Sequence, residues 1–200
     1  MFRFLPIIFL LIFSCSHKAK KLPFLGNPEE INGEITYPTI QPFHFLDQDS
    51  LSVTNKTFDN SIYIADFIFL SCPTICPAMT SEMKKVYAKF EKNNSVKFLS
   101  HTIDPEHDSI SLLKQYAEHL RIKTSKWHIV TGSKSDIYSV AEKSYYSTAY
   151  PDSKEPGGFV HSGGLLLIDK NKHLRGVYDG TNPKQTLLLI NDIELLLSEK

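Results

Sequence analysis

The sequence predicts an α/β fold, a mixed central sheet flanked by helices and carrying an N-terminal β-hairpin extension. Three observations predict it. The run Ile62 to Leu70 is almost wholly apolar, as a strand covered on both faces must be. Downstream of it, strand-like and helix-like periods alternate, which calls for parallel strands joined by right-handed crossovers. Near the C-terminus, two strand-like runs separated by the turn Asp169-Lys170-Asn171-Lys172 precede a last helical stretch, which adds an antiparallel edge.

Each element has its own signal. Phe43-His44-Phe45-Leu46-Asp47-Gln48 alternates and then turns, as the opening strand of a small hairpin does. Ile62 to Leu70 is the central strand. Pro77 suits a first helical position, and Met79, Met83, Val86, Tyr87 and Phe90 recur at helical spacing, so a helix is expected from Pro77 to about Lys92. Val96 to Thr102 forms the second strand. Ile110, Leu113, Tyr116, Ala117 and Leu120 mark a second helical stripe, and Lys126 to Val130 a third strand. Ser133 followed by Asp136 reads as a capping box that opens a helix through about Lys143. A Pro- and Gly-rich loop, Tyr150 to Gly158, leads into strands Val160 to Ile168 and His173 to Tyr178, then a helix from Pro183 to about Leu197. This order of elements is the thioredoxin-like one.

The N-terminus reads as a targeting segment. Met1, Phe2 and Arg3 give a short positive start, and Phe4 to Phe13 is apolar apart from Pro6, too short to span a bilayer. It ends in Ile12-Phe13-Ser14-Cys15, similar to a bacterial lipobox, although Phe13 is bulkier than that pattern prefers. Residues 1–14 are thus expected to be a lipoprotein-type signal peptide, 15–37 a tether lipidated at Cys15, and 38–200 the folded domain. The expected location is the cell envelope, with the domain facing the periplasm and held to a membrane by its lipid. The chain has 22 Lys plus Arg against 22 Asp plus Glu, so no overall field draws it to nucleic acid or to anionic lipid. Partners must be recognised locally, and a monomer is expected.

With Cys15 lipidated, Cys72 and Cys76 remain as the domain's thiols. A thiol becomes a nucleophile or a metal ligand as thiolate, and the positive end of a helix favours thiolate. Cys76 directly precedes Pro77 and is expected at or next to the helix N-cap. The loop Cys72-Pro73-Thr74-Ile75-Cys76 has one residue more between its sulfurs than ordinary thiol oxidoreductases have. It allows a disulfide and also lets two sulfurs spread around a metal. A thiolate pair suits Cu(I), and an added imidazole makes Cu(II) or Zn(II) possible too. A purely structural disulfide is the bland alternative. The expected fold brings the start of the Val160 strand back beside the helix N-terminus. His161 lies there between Gly157-Gly158 and Gly163-Gly164, where pliable backbone would let it swing toward a metal.

The run Phe67-Ile68-Phe69-Leu70-Ser71-Cys72-Pro73-Thr74-Ile75-Cys76-Pro77, then Thr102-Ile103-Asp104-Pro105, then Val160-His161-Ser162, resembles the Sco/SenC family of copper-binding proteins. The resemblance covers roughly Phe43 to the C-terminus. It implies a thioredoxin fold, copper held by Cys72, Cys76 and His161, and delivery to the binuclear copper centre in the copper subunit of a terminal cytochrome c oxidase. A periplasmic copper donor or thiol reductant would be the upstream partner. The family commonly places an Asp before the His where this chain has Val160. The alternative reading is a thiol-disulfide oxidoreductase that keeps the oxidase cysteines reduced. A peroxidase of related fold is disfavoured, because the nearest Arg in sequence is Arg121.

Lesser signals divide evenly or toward structure. Asp66, six residues before Cys72, resembles the proton-handling Asp of thioredoxins, or else reaches solvent or a partner. Met79 and Met83 are expected in the core, and Asp104-Pro105-Glu106-His107-Asp108 to shape the rim of the site, with Asp108 or Ser109 as a helix cap. His44, His101, His119, His128 and His173 lack ligand spacing.

Overall fold

The computed structural model describes residues 21–152, 154 and 158–199. The signal peptide expected over residues 1–14 and the lipidation expected at Cys15 lie outside the described residues. In chain order, β1 (Glu29–Ile31) and β2 (Glu34–Thr36) form one hairpin and β3 (His44–Asp47) and β4 (Ser52–Thr54) a second. Then β5 (Ile62–Ile68), α1 (Ile75–Phe90), β6 (Val96–Thr102), α2 (Ile110–Leu120), β7 (Trp127–Thr131) and α3 (Lys134–Tyr145) alternate. Finally come β8 (Ala149–Pro151), β9 (Phe159–His161), β10 (Gly164–Ile168), β11 (Leu174–Asp179) and α4 (Pro183–Ser198).

The main sheet is mixed, in the order β11-β10-β5-β6-β7-β3-β4. β5, β6 and β7 are parallel, while β10 and β11 add an antiparallel edge on one side and the β3–β4 hairpin another on the other side. Every residue of β5 is buried, which accounts for its unbroken apolar run. Alternate residues serve opposite layers. Ile64, Asp66, Phe98 and Ser100 face the layer of α1, α2 and α4, where Tyr87 packs on Phe98 and Trp127. Tyr63, Phe67 and His101 face the other layer, made by Tyr145 of α3 and by Phe43, Phe45 and Phe58. No described helix is long and apolar enough to cross a membrane.

Three departures from the sequence expectation have physical causes. The single strand expected from Val160 to Ile168 is two, because the chain leaves β9 at Ser162-Gly163 and re-enters the main sheet at Gly164. β9 pairs instead with β8, which occupies the start of the stretch expected to be a loop. Packing also begins well before residue 38. Leu22 is buried, Leu25 N–H donates to the Leu174 carbonyl and Ile40 N–H to that of Lys172, and the β1–β2 hairpin is exposed between them.

Arg175 holds this strap. Its guanidinium is 4 % exposed, donates to the carbonyls of Leu22 and Pro23, pairs with Asp169 at 2.8 Å and lies over the Phe24 ring. Arg175→Met would leave the buried Asp169 carboxylate without its cation, and breaking one side of such a pair costs about 3 kcal/mol or more. Urea unfolding is expected to show that loss, with partial recovery in Arg175→Met, Asp169→Asn.

Two buried groups with unpartnered atoms give opposing pH slopes. Burial lowers His101 from 6.5 to about 3, so its ring stays neutral in the folded state where the unfolded chain is protonated, and its contribution is lost as pH falls from 6.5 toward 3. Burial raises Asp66 from 3.8 to about 7, against a smaller opposite effect of a Ser100 hydrogen bond. The folded state therefore holds a proton that the unfolded state sheds, and the Asp66 penalty grows as pH rises from 3.8 toward 7. The two slopes offset each other between about pH 4 and 6.5. Asp66→Asn removes one of them. Its stability is expected to fall on acidification across that window by about 1.4 kcal/mol per pH unit more than wild type. Parallel stability curves for the two proteins would contradict this.

Candidate metal centre

Beyond β5 the chain turns, and Cys72 N–H donates to the Phe69 carbonyl at 3.2 Å. α1 starts at Ile75 with Thr74 as N-cap, two residues earlier than Pro77. Cys76 therefore sits inside the first helical turn rather than at the cap. Pro77 is tolerated there because first-turn N–H groups have no intrahelical acceptor to lose. The loop thus places one sulfur in front of the helix N-terminus and the other within it.

The segment carrying His161 is pinned rather than pliable. Ser162 N–H donates to the Thr148 carbonyl at 2.9 Å, and Gly180 N–H to the Gly163 carbonyl at 2.7 Å. A side chain at Gly180 would come within 2.9 Å of the Gly163 oxygen and 3.2 Å of Met79, so glycine here buys close passage over α1. Phe69 meets the His161 ring edge-on at 5.7 Å between centroids.

The structure brings together the three residues singled out in the sequence. One ring nitrogen of His161 and the sulfurs of Cys72 and Cys76 all lie within 4.8 Å of one another. A hydrogen bond of 3.4 Å joins Cys76 Sγ and His161 Nε2, and Nδ1 is buried without a partner among the described residues. Cys72 and Cys76 are both free thiols. The bland reading, a structural disulfide, is thus not the form seen here.

The two sulfurs differ in acidity. Burial raises the Cys72 thiol, but hydrogen bonds from the Cys76 thiol and from the Thr74 and Cys76 backbone N–H groups outweigh it, and the net shift is downward. Burial pushes Cys76 far up, and the nearby Cys72 and Asp66 charges add to it. Burial also lowers His161, against a smaller opposite effect of the Ser162 backbone, which favours a neutral ring with a lone pair to give. One thiol eased toward the thiolate, one thiol that a metal must deprotonate and one imidazole biased toward its neutral form make a soft donor set that suits copper.

Two clefts reach the site, one at both cysteines and the other at Cys72 and His161. One of about 320 Å³ is lined by Leu70, Cys72, Cys76, Thr80, Lys84 and Tyr116. The other, about 330 Å³, is lined by Cys72, Thr74, Ile75, Phe159, Val160 and His161. Val160 makes this second wall apolar at the position before the histidine.

The remaining candidates fall into structural roles. Met79 and Met83 are fully buried. Asp108 accepts from Leu70 N–H and the Thr102 hydroxyl, bracing the turn before Cys72, while Ser109 caps α2. Asp66 is buried on the α1 layer, and its charge acts on Cys76. His44 bonds Ser52, His128 bonds Asp47, His173 bonds the Pro38 carbonyl, and His119 lines the first cleft. Sequence reasoning missed Thr74, whose hydroxyl lies 3.7 Å from Cys72 Sγ, and Phe69, which backs His161. Their adjacency to the cysteines was the available signal.

Comparison with known proteins agrees with this geometry. The SCO1 protein homolog of Bacillus subtilis is 29 % identical over 193 residues, covering 94 % of this chain and 92 % of that protein. The structure of BsSco, described as a member of the Sco family of cytochrome c oxidase assembly proteins with a disulfide switch, is 26 % identical. It superposes with a TM-score of 0.72 over 90 % of this chain and 100 % of its own. Arabidopsis thaliana ScoI, solved with copper bound, shares the fold at 23 % identity with a TM-score of 0.65, covering 78 % of this chain and 99 % of its own. The SCO1/SenC family model matches residues 33–197, most of the described domain and all three converging residues, and the chain belongs to that family.

Proposed function

We propose that this protein is a copper metallochaperone that binds copper through Cys72, Cys76 and His161 and delivers it to the binuclear copper centre of a terminal cytochrome c oxidase. The observation that carries this reading is the convergence of two thiols and one imidazole at a helix N-terminus, open from two clefts. Copper is cargo here. Three donors leave it accessible to an incoming thiolate, so transfer proceeds by stepwise ligand exchange, with the displaced Cys72 and Cys76 taking up protons. The Sco family's link with oxidase assembly in BsSco and the copper in the Arabidopsis relative support the choice of cargo and recipient. The protein acts as a monomer on the periplasmic face of a membrane, lipidated at Cys15, and a periplasmic donor loads it.

The test mixes copper-loaded protein with the metal-free copper subunit of the organism's oxidase. Copper is expected to appear in the subunit with its two-copper absorption, while the acceptor gains nothing from a Cys72→Ser, Cys76→Ser variant. Retention of copper by the loaded protein would rule out delivery.

A second reading rests on the acidity difference between the sulfurs. A thiolate at Cys72 can attack a partner disulfide, releasing one partner thiol. Cys76, once deprotonated, then resolves the mixed disulfide, leaving Cys72–Cys76 oxidised and the partner reduced. Reduction of the oxidised copper subunit by metal-free protein, at one disulfide per protein, would establish this use of the same two sulfurs.

A further inference from the structure

We infer that the acceptor takes copper through the cleft between α1 and α2, by laying into it an extended acidic segment whose cysteine lies about four residues from the acid. The inference rests on the copper-delivery reading and deepens it by naming the route and the chemistry of the segment that enters.

Of the two clefts, this one is lined by both sulfurs and not by His161. A thiol entering here meets the two ligands it must displace with no imidazole in its path. One entering the other cleft meets the imidazole and Cys72, and Cys76 is not in that wall. The α1–α2 cleft is also held open in advance. The Thr80 and Tyr116 hydroxyls bond each other at 2.8 Å, and one turn further along both helices Lys84 donates to the Leu120 carbonyl. These two ties fix the width of the groove, so little ordering is left for a ligand to impose. From Cys76 to Lys84, α1 rises about 12 Å, which an extended chain covers in about four residues.

The lining selects the charge of that segment. It contains Lys84 and His119 and no carboxylate, among apolar Phe69, Leu70 and Pro77. Neither Lys84 nor Arg121, exposed just beyond Leu120, makes an ion pair among the described residues. The acids nearby are engaged elsewhere, turned away or covered. Glu82 bonds Thr186 of α4, and Glu91 pairs with Lys123. Exposed Glu118 lies on the face of α2 opposite Tyr116 and Leu120, and Asp66 and Asp108 are buried. A carboxylate drawn to Lys84 thus anchors the segment while its cysteine reaches Cys72 and Cys76. In each exchange one acceptor S–Cu bond forms and one Cys S–Cu bond breaks. The acceptor thiol gives up a proton, the released cysteine takes one, and copper keeps its oxidation state.

The experiment mixes full-length protein loaded with Cu(I) with synthetic peptides that carry two cysteines and, about four positions beyond, either Glu or Lys, and follows transfer by stopped flow. The Glu peptide is expected to take copper about ten-fold faster than the Lys peptide. Salt at about 1 M, where the screening length shrinks to about 3 Å, is expected to remove that preference. So is Lys84→Gln, Arg121→Gln, which keeps a donor for the Leu120 carbonyl and leaves Cu(I) affinity unchanged. Ser81→Trp, which fills this cleft from an exposed position, is expected to slow both peptides several-fold, and Val160→Trp in the other cleft to slow neither. Equal rates for the two peptides, or slowing by Val160→Trp instead of Ser81→Trp, would overturn the inference while leaving delivery standing. Retention of copper against both peptides would overturn the delivery reading and this route with it.

Discussion

Replacing either cysteine is expected to weaken copper binding by roughly a thousand-fold, about 4 kcal/mol, and replacing both to abolish specific binding. The pair forms a chelate. Once one sulfur holds the ion, the other is presented within 4.8 Å and needs no further search. Serine offers no comparable soft donor at neutral pH. Wild-type affinity should also rise with pH, by up to about ten-fold per unit for each proton displaced, because burial keeps Cys76 protonated until the metal takes its place. Competition against a chromophoric Cu(I) chelator across the neutral range measures both effects. A pH-independent affinity would mean that Cys76 is not a ligand.

The His161→Ala variant is expected to separate the two oxidation states. Cu(I) is satisfied by two thiolates and should lose roughly ten-fold in affinity, whereas Cu(II) prefers a nitrogen donor in its set and should lose roughly a hundred-fold or more. The thiolate-to-Cu(II) absorption should shift with it. Phe69 backs the ring and Ser162 and Gly163 hold its backbone, so the free protein presents the imidazole already beside Cys76. Little ordering cost is left for binding. Equal losses for both ions, or no spectral change, would remove His161 from the centre.

The core of this site was legible in the sequence because the apolar strand, the cysteine loop and Pro77 are contiguous. Their local signals all agree on a strand ending where a helix begins. His161 was legible through the order of elements and through its flanking glycines, although hydrogen bonds at Ser162 and Gly163 pin the backbone that those glycines suggested was pliable. What stayed hidden depends on contacts across the chain. Val160 to Ile168 reads as one apolar run, yet the close passage of Gly163 and Gly180 over α1 breaks it into β9 and β10. The early start of α1 was masked by Pro77, which is as acceptable at the third helical position as at the first. The packing of Leu22 to Ile40 hinges on Arg175, more than a hundred residues away, and no local period announces it. His101 bears no ligand spacing because it is a core residue, enclosed by Phe43, Phe45, Phe67 and Tyr145.

The central claim is that one copper ion is held jointly by Cys72, Cys76 and His161. X-ray absorption at the copper edge of the stoichiometrically loaded protein tests it most directly. The account predicts two sulfur scatterers and one imidazole per copper, with both sulfurs lost in the Cys72→Ser, Cys76→Ser variant and the imidazole lost in His161→Ala. A wild-type spectrum with fewer than two sulfurs, or one that the cysteine substitutions leave unchanged, would contradict it.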